Sequence, residues 1–98
     1  MLTDRIHELT ITRETDKDNY KRYCISGHEV AGRIILEKYD EKWNLELMDI
    51  LPTNCGIGTF FLHRVLELEK LNPENMTVCP ISKGSRRFFQ KNGFDLKE

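Results

Sequence analysis

Hydrophobic and polar positions change their period midway along this chain. In the first half, short apolar-rich runs alternate with polar pairs. "RIHELTITRET" (Arg5 to Thr15) sets Ile6, Glu8 and Thr10 against His7, Leu9 and Ile11, which suits a strand with both faces partly covered. Asp16 to Asn19 ("DKDN") is a polar turn signal, and "YKRYCI" (Tyr20 to Ile25) reads as a second strand. "SGHE" (Ser26 to Glu29) is a hairpin turn around Gly27, and "VAGRIILEKY" (Val30 to Tyr39) is a β-rich third run. "YDEK" turns the chain again before "WNLELMDIL" (Trp43 to Leu51), the fourth strand. This half predicts an antiparallel meander.

The second half follows a helical period. Between Thr59 and Leu71, apolar residues fall at Phe61, Leu62, Val65, Leu66 and Leu68. Asn72-Pro73 is expected to end this helix, because asparagine tolerates the left-handed cap and proline cannot continue the helix. "NMTVCPI" reads as a fifth strand, Ser82 as the cap of a second helix "KGSRRFFQKN", and Gly93 as its terminator. The order is β-β-β-β-α-β-α, an α+β fold in one domain spanning residues 1–98. Its last part is a single strand-helix-strand crossover.

Charge narrows the function classes. The 98 residues carry 15 basic and 16 acidic side chains, well mixed, for a net charge of −1. That balance argues against a nucleic-acid-binding face; the one basic cluster, "SKGSRRFFQK", is short. Cys24, Cys55 and Cys79 are odd in number and far apart, so they make no disulfide framework and read as reduced thiols. "MLTDRIHELT" has no long apolar segment, so the expected location is cytoplasmic, without a membrane span. A domain this small would gain from dimerisation, which keeps a homodimer among the options. His7, His28 and His63 are scattered and lie away from the cysteines, so no metal is expected.

Candidate chemistry sits where the period changes, in "TNCGIGTFFLHRVLELEK" (Thr53 to Lys70). A helix start after a strand presents unpaired backbone N–H groups and a partial positive charge. Glycines let a phosphate approach that backbone closely. Two glycines can equally serve as a tight strand-to-helix corner. No Gly-Lys-Ser/Thr follows, which excludes the Walker P-loop. Phe61 stands where a dinucleotide fingerprint needs its third glycine, so that motif fails too.

Taken together, "LELMDILPTNCGIGTFFLHRVLE" and "MTVCPISKGSRRFFQKNGF" resemble the GNAT superfamily of acyl-CoA-dependent N-acetyltransferases, over about Tyr23 to Phe94. In that family a splayed strand leads into Arg/Gln-x-x-Gly-x-Gly/Ala at the start of the cofactor-binding helix. The following helix carries Asn-x-x-Ala-x-x-x-Tyr and then Gly-Phe. The resemblance implies a GNAT-like mixed sheet with antiparallel N-terminal strands and a splayed fourth strand, and transfer of acetyl from acetyl-CoA to a primary amine of a small molecule or protein. It assigns the pyrophosphate to Asn54, Cys55, Gly56, Ile57, Gly58 and Thr59, and the pantetheine arm to the backbone of Met48 and Ile50. Ser82 falls on the asparagine position, Ser85 on the small-residue position and Phe89 on the tyrosine position; Asn92-Gly93-Phe94 matches the Gly-Phe ending.

The pattern departs from the family at Thr53, where arginine or glutamine is usual, and at Phe89, whose ring cannot protonate a leaving thiolate. The family's helices between its first two strands have no room here, and no strands follow Phe94. On the fourth strand, simple alternation puts Glu46 on the face of Met48 and turns Asp49 the other way, which makes Glu46 the candidate base for the attacking amine. The bland alternative for Glu46 is a solvated strand-face carboxylate. The alternative for the whole chain is a catalytically inactive CoA-binding or partner-binding module. A third class is a small interaction domain with no cofactor.

Overall fold

The computed structural model describes residues 9–27, 29–51, 56–78, 83–94 and 96. Its strands are β1 (Thr10–Lys17), β2 (Tyr20–Gly27), β3 (Val30–Tyr39), β4 (Lys42–Leu51) and β5 (Thr77–Val78). Helices α1 (Ile57–Glu69) and α2 (Lys83–Lys91) flank β5 in the chain. One mixed sheet holds the strands in the order β1-β2-β3-β4-β5. The first four are antiparallel, and β5 joins β4 in parallel. This is the α+β architecture the periodicity predicts.

Cross-strand register explains the two faces. One row joins Tyr23, Ile34 and Met48, and the next joins Ile25, Gly32 and Ile50. Partners in such a row project to the same side of the sheet. On that side α1 packs the stripe Ile57, Phe61, Leu62, Val65 and Leu66, all buried. Phe89 and Phe94 of the second helical segment join the same core. The opposite side carries the row Cys24, Arg33 and Asp49. Trp43 is half-buried and packs against the core, with the Lys38 ammonium 6.0 Å from its ring centroid.

Helix α1 ends earlier than the Asn72-Pro73 signal suggests. Lys70 adopts the left-handed conformation (φ 57, ψ 43), its N–H donates to Glu67 O, and the Leu71 N–H donates to Leu66 O. That pair of bonds is a Schellman termination on a non-glycine residue. Asn72 caps a different element: its Oδ1 accepts from Glu74 N at 2.9 Å, opening a 3-10 turn at Pro73–Asn75. Asparagine serves either purpose, because the same side chain that tolerates a left-handed cap also caps a new start. At the other end of the fold, Gly93 has φ 96 and follows α2, as expected.

A polar cluster fastens the end of α1 to β1 and β2. Glu69 lies in the last turn, where the helix dipole disfavours a negative charge. Arg13 Nε at 3.5 Å and Lys21 Nζ at 3.9 Å offset it. The Tyr23 hydroxyl donates to the Glu69 carboxylate and accepts from Arg13 Nε at 2.9 Å. Burial, and then the Glu69 carboxylate, push the Tyr23 hydroxyl up to about 12. An unfolded tyrosine titrates near ~10, so the neutral hydroxyl favours the fold fully below that pH. This contribution, roughly 2 kcal/mol, is lost as the pH rises from about 10 through about 12. Urea midpoints at pH 9 and 11.5 should therefore fall more steeply for the natural protein than for Tyr23→Phe. Equal slopes would remove Tyr23 as the alkaline-sensitive group.

Candidate functional site

The parallel pairing of β4 with β5 covers Asn44–Thr77 and Leu45–Val78. Among the described residues, Glu46 to Leu51 have no parallel neighbour on that side. Helix α1 starts against that part of the strand. Together with α2 they enclose a cleft of about 560 Å³. Met48 and Ile50 supply the strand wall, Gly56, Gly58 and Thr59 the helix start, and Ser85, Phe88 and Phe89 the wall from α2. The sequence-assigned Met48, Ile50, Gly56, Gly58, Thr59, Ser85 and Phe89 thus converge on one cavity.

The two glycines have different reasons to be there. Gly56 sits at the helix N-cap with φ 81 and ψ −10, a conformation that side-chain-bearing residues disfavour. The corner itself demands it. Gly58 lies inside the helix, without a positive φ. A Cβ there would meet Ile50 Cγ2 at 3.5 Å, Met48 Cε at 3.7 Å and Phe88 Cε1 at 3.7 Å, all ordinary contact distances. Among the described residues alanine would fit, and alanine is the better helix former. Chain geometry therefore explains Gly56, and no contact among the described residues requires Gly58.

The helix start is also electrostatically bare. Its N-cap, Gly56, has no side chain to cap it, and no acid occupies the first turn of the helix. Its first helical bond from outside the turn, Phe60 N to Gly56 O, is 3.2 Å long. The amides of Ile57, Gly58 and Thr59 precede that bond and, among the described residues, face no capping carboxylate. Ile57, also assigned from sequence, does not line the cleft; its side chain is buried in the core. Asn54, Cys55 and Ser82, also assigned from sequence, lie outside the described residues, as does Thr53.

Glu46 needs a correction. The β3–β4 register passes from Leu36–Leu45 to Ile35–Leu47, so Glu46 is the extra residue of a β-bulge. The bulge breaks simple alternation: Leu45 and Met48, three apart, share the core face, and Glu46 emerges on the other. There it accepts from Asn44 Nδ2 at 2.8 Å, and Asn44 in turn accepts from Thr77 Oγ1 at 2.6 Å. The exposed Tyr39 hydroxyl is raised above its ordinary value by hydrogen bonding to Glu37 first and also by Glu46. Glu46 does not line the cleft; Asp49 does.

Three features of the cleft were missed in the sequence. Phe88 and Lys91 line it beside Ser85. Their spacing of three residues along α2 is the signal that could have found them, since such positions share a helix face. The third is the tie that fixes α2 against α1: Asn92, nearly buried, donates from Nδ2 to Phe88 O at 2.7 Å. Its Oδ1 lies 2.7 Å from His63 Nε2, so that ring nitrogen carries the proton and donates. Phe89 is 7% exposed and meets Phe88 and Phe94 edge-on, with centroids 5.2 and 5.3 Å away.

No protein-family model, curated protein or solved structure matches the chain. Among the described residues, no group of three His, Cys, Asp or Glu side chains is arranged to hold a metal ion. No helix among them is long and apolar enough to cross a membrane.

Proposed function

We propose that the chain is an N-acyltransferase of the GNAT type, taking acetyl from acetyl-CoA and delivering it to a primary amine. The observation that carries this reading is Gly58, a first-turn glycine that no contact among the described residues requires, set on the wall of a cleft beside Met48 and Ile50 of β4. A glycine kept where alanine fits and would stabilise is accounted for when a ligand must touch the backbone there. The ligand that matches is long and narrow, with anionic groups for the α1 amides and an amide-bearing arm for the backbone of Met48 and Ile50.

Acetyl-CoA supplies the thioester carbonyl carbon. The neutral amine attacks that carbon, the N–C bond forms and the C–S bond breaks, giving an amide and free CoA thiol. The proton lost by the amine nitrogen passes to solvent, and the thiolate takes one back. Lysine-like amines are neutral for only about one molecule in a thousand at pH 7.4, so a carboxylate near the splay assists the first transfer. The chain orients the arm along β4, holds the phosphates on the α1 amides with Lys91 nearby, and covers the thioester with Met48 and Phe88. Phe89 carries no proton to give. Its buried ring favours a second reading, a module that binds acyl-CoA without turnover.

Calorimetric titration with acetyl-CoA, with dephospho-CoA as comparison, tests both readings. Saturable 1:1 binding with Kd in the micromolar range is expected. Heat without any amide product across a panel of amines would favour the inactive module. No heat at millimolar ligand would end both.

A further inference from the structure

Both helices pack on the core side of the sheet, and among the described residues no helix covers the other side. Alternation along β3 puts Ala31, Arg33, Ile35, Glu37 and Tyr39 on that open face. Leu51, Asp49 and Leu47 of β4 stand in register beside the first three, and Ser26, Cys24 and Arg22 of β2 flank them on the other side. Of the exposed large hydrophobic side chains described, Leu51 (68%) and Tyr39 (53%) both belong to this face. Its two ends differ. Toward Ala31 and Leu51 it is hollow, a second cavity of about 560 Å³ lined also by Cys24, Arg33 and Asp49. Asp49 and Ile50 border both this groove and the cleft beside α1. The end toward the β3–β4 turn carries the exposed Tyr39, whose hydroxyl donates to Glu37.

Ala31 and Tyr39 each lie four residues from Ile35, and Arg33 and Glu37 each lie two. Hollow and aromatic, cation and anion, therefore sit at equal distances on opposite sides of Ile35, about 13 Å and about 7 Å along the strand. A two-fold axis in the plane of the sheet, running across the strands through Ile35 and Leu47, would exchange these opposites. It lays Tyr39 of each copy over the Ala31–Leu51 groove of the other, and Arg33 over Glu37. Arg33 gives Nη2 to Asp49 at 2.9 Å and has further N–H groups for a second carboxylate. At the axis the half-buried Ile35 and Leu47 meet their own counterparts. Such self-complementarity is what an isologous contact requires. Two sheets can stack in this way about 10 Å apart, with strand directions about 30° off.

We infer that the open face is the interface of a homodimer in which each copy seats its Tyr39 in the other's groove. With ten residues each in β3 and β4 and four strands side by side, the face measures about 30 Å by about 20 Å. That is about 600 Å² per copy, under the roughly 800 Å² per partner of a standard interface, so the dimer is reversible, with Kd of roughly tens of micromolar. The cleft beside α1 lies on the opposite side of the sheet and stays open in this dimer. The inference therefore stands or falls independently of acetyl-CoA binding.

Sedimentation velocity on the intact protein tests this, and should pass from monomer to dimer between about 5 and about 500 μM. Tyr39→Ala and Arg33→Glu, both at exposed positions, should each weaken association at least about tenfold while far-UV circular dichroism stays unchanged. Adding Glu37→Arg to Arg33→Glu should restore the dimer, because the axis exchanges those two positions. Leu68→Ala, exposed on α1, should leave association as it is. Diluting the natural protein reads the same face without any substitution: NMR amide signals of Ala31, Arg33, Ile35, Leu47 and Tyr39 should shift together. A monomer at every concentration would overturn the dimer and leave the face to another occupant. A dimer indifferent to Tyr39→Ala and Arg33→Glu, or dilution shifts confined to α1, would put the interface elsewhere and sink this one. Failure of the charge exchange to rescue association would rule out the two-fold placement.

Discussion

Gly58→Trp is expected to lower acetyl-CoA affinity by at least about 100-fold while the protein stays folded. Gly58→Ala is expected to do something less intuitive, raising the stability of the free protein by about 0.5–1 kcal/mol and weakening the ligand about tenfold. The stabilisation follows from contact distances of 3.5–3.7 Å around an added Cβ, which are comfortable, and from a helix that prefers alanine to glycine. The weakening follows because that Cβ would stand between the α1 backbone and a phosphate. Urea midpoints and calorimetry on the same two samples separate these effects. If both variants bind like the natural protein, the glycine cradle is wrong; if Gly58→Ala destabilises, the glycine belongs to the corner after all.

Gly32→Val should be the most damaging single change in the sheet, lowering stability by about 3 kcal/mol, with the urea midpoint as readout. A Cβ at this position would lie 2.7 Å from the Asp49 backbone oxygen, 3.1 Å from Ile25 Cγ2 and 3.3 Å from Ile50 Cα. Two of those neighbours are backbone, which yields only if the β3–β4 ladder opens. The exposed neighbour Ala31→Val provides the control and should change stability by no more than about 0.5 kcal/mol. A loss under about 1 kcal/mol for Gly32→Val would mean that β3 and β4 can part cheaply here. The position matters beyond stability, because the Asp49–Ile50 backbone that Gly32 allows to approach is the wall common to both cavities.

How legible the site was depends on the range of the physics behind each residue. Gly56 and the α1 stripe follow from local rules: a left-handed corner wants glycine, and a 3.6 period in Phe61, Leu62, Val65 and Leu66 marks one buried face. Met48 and Ile50 lie two apart on a strand, and alternation alone puts them together. Glu46 went wrong because one inserted residue in a ladder reverses every face beyond it, and β3–β4 registration decides where that residue goes. Alternation placed Asp49 opposite Met48, as the register bears out, and Asp49 nonetheless borders both cavities.

The sequence by itself determined the order of strands and helices, the apolar stripe of α1, the turns between strands, and the glycine corner at the end of β4. These are encoded within a few residues, by period and by backbone preference. Tertiary structure decided which carboxylate meets the cleft, that β5 joins β4 in parallel, that α2 brings Phe88 and Lys91 to the site, and that Gly32 rather than its neighbours must lack a side chain. Each of those depends on register or approach between segments distant in the chain, and such distances are set by packing the whole core rather than by any local run of residues.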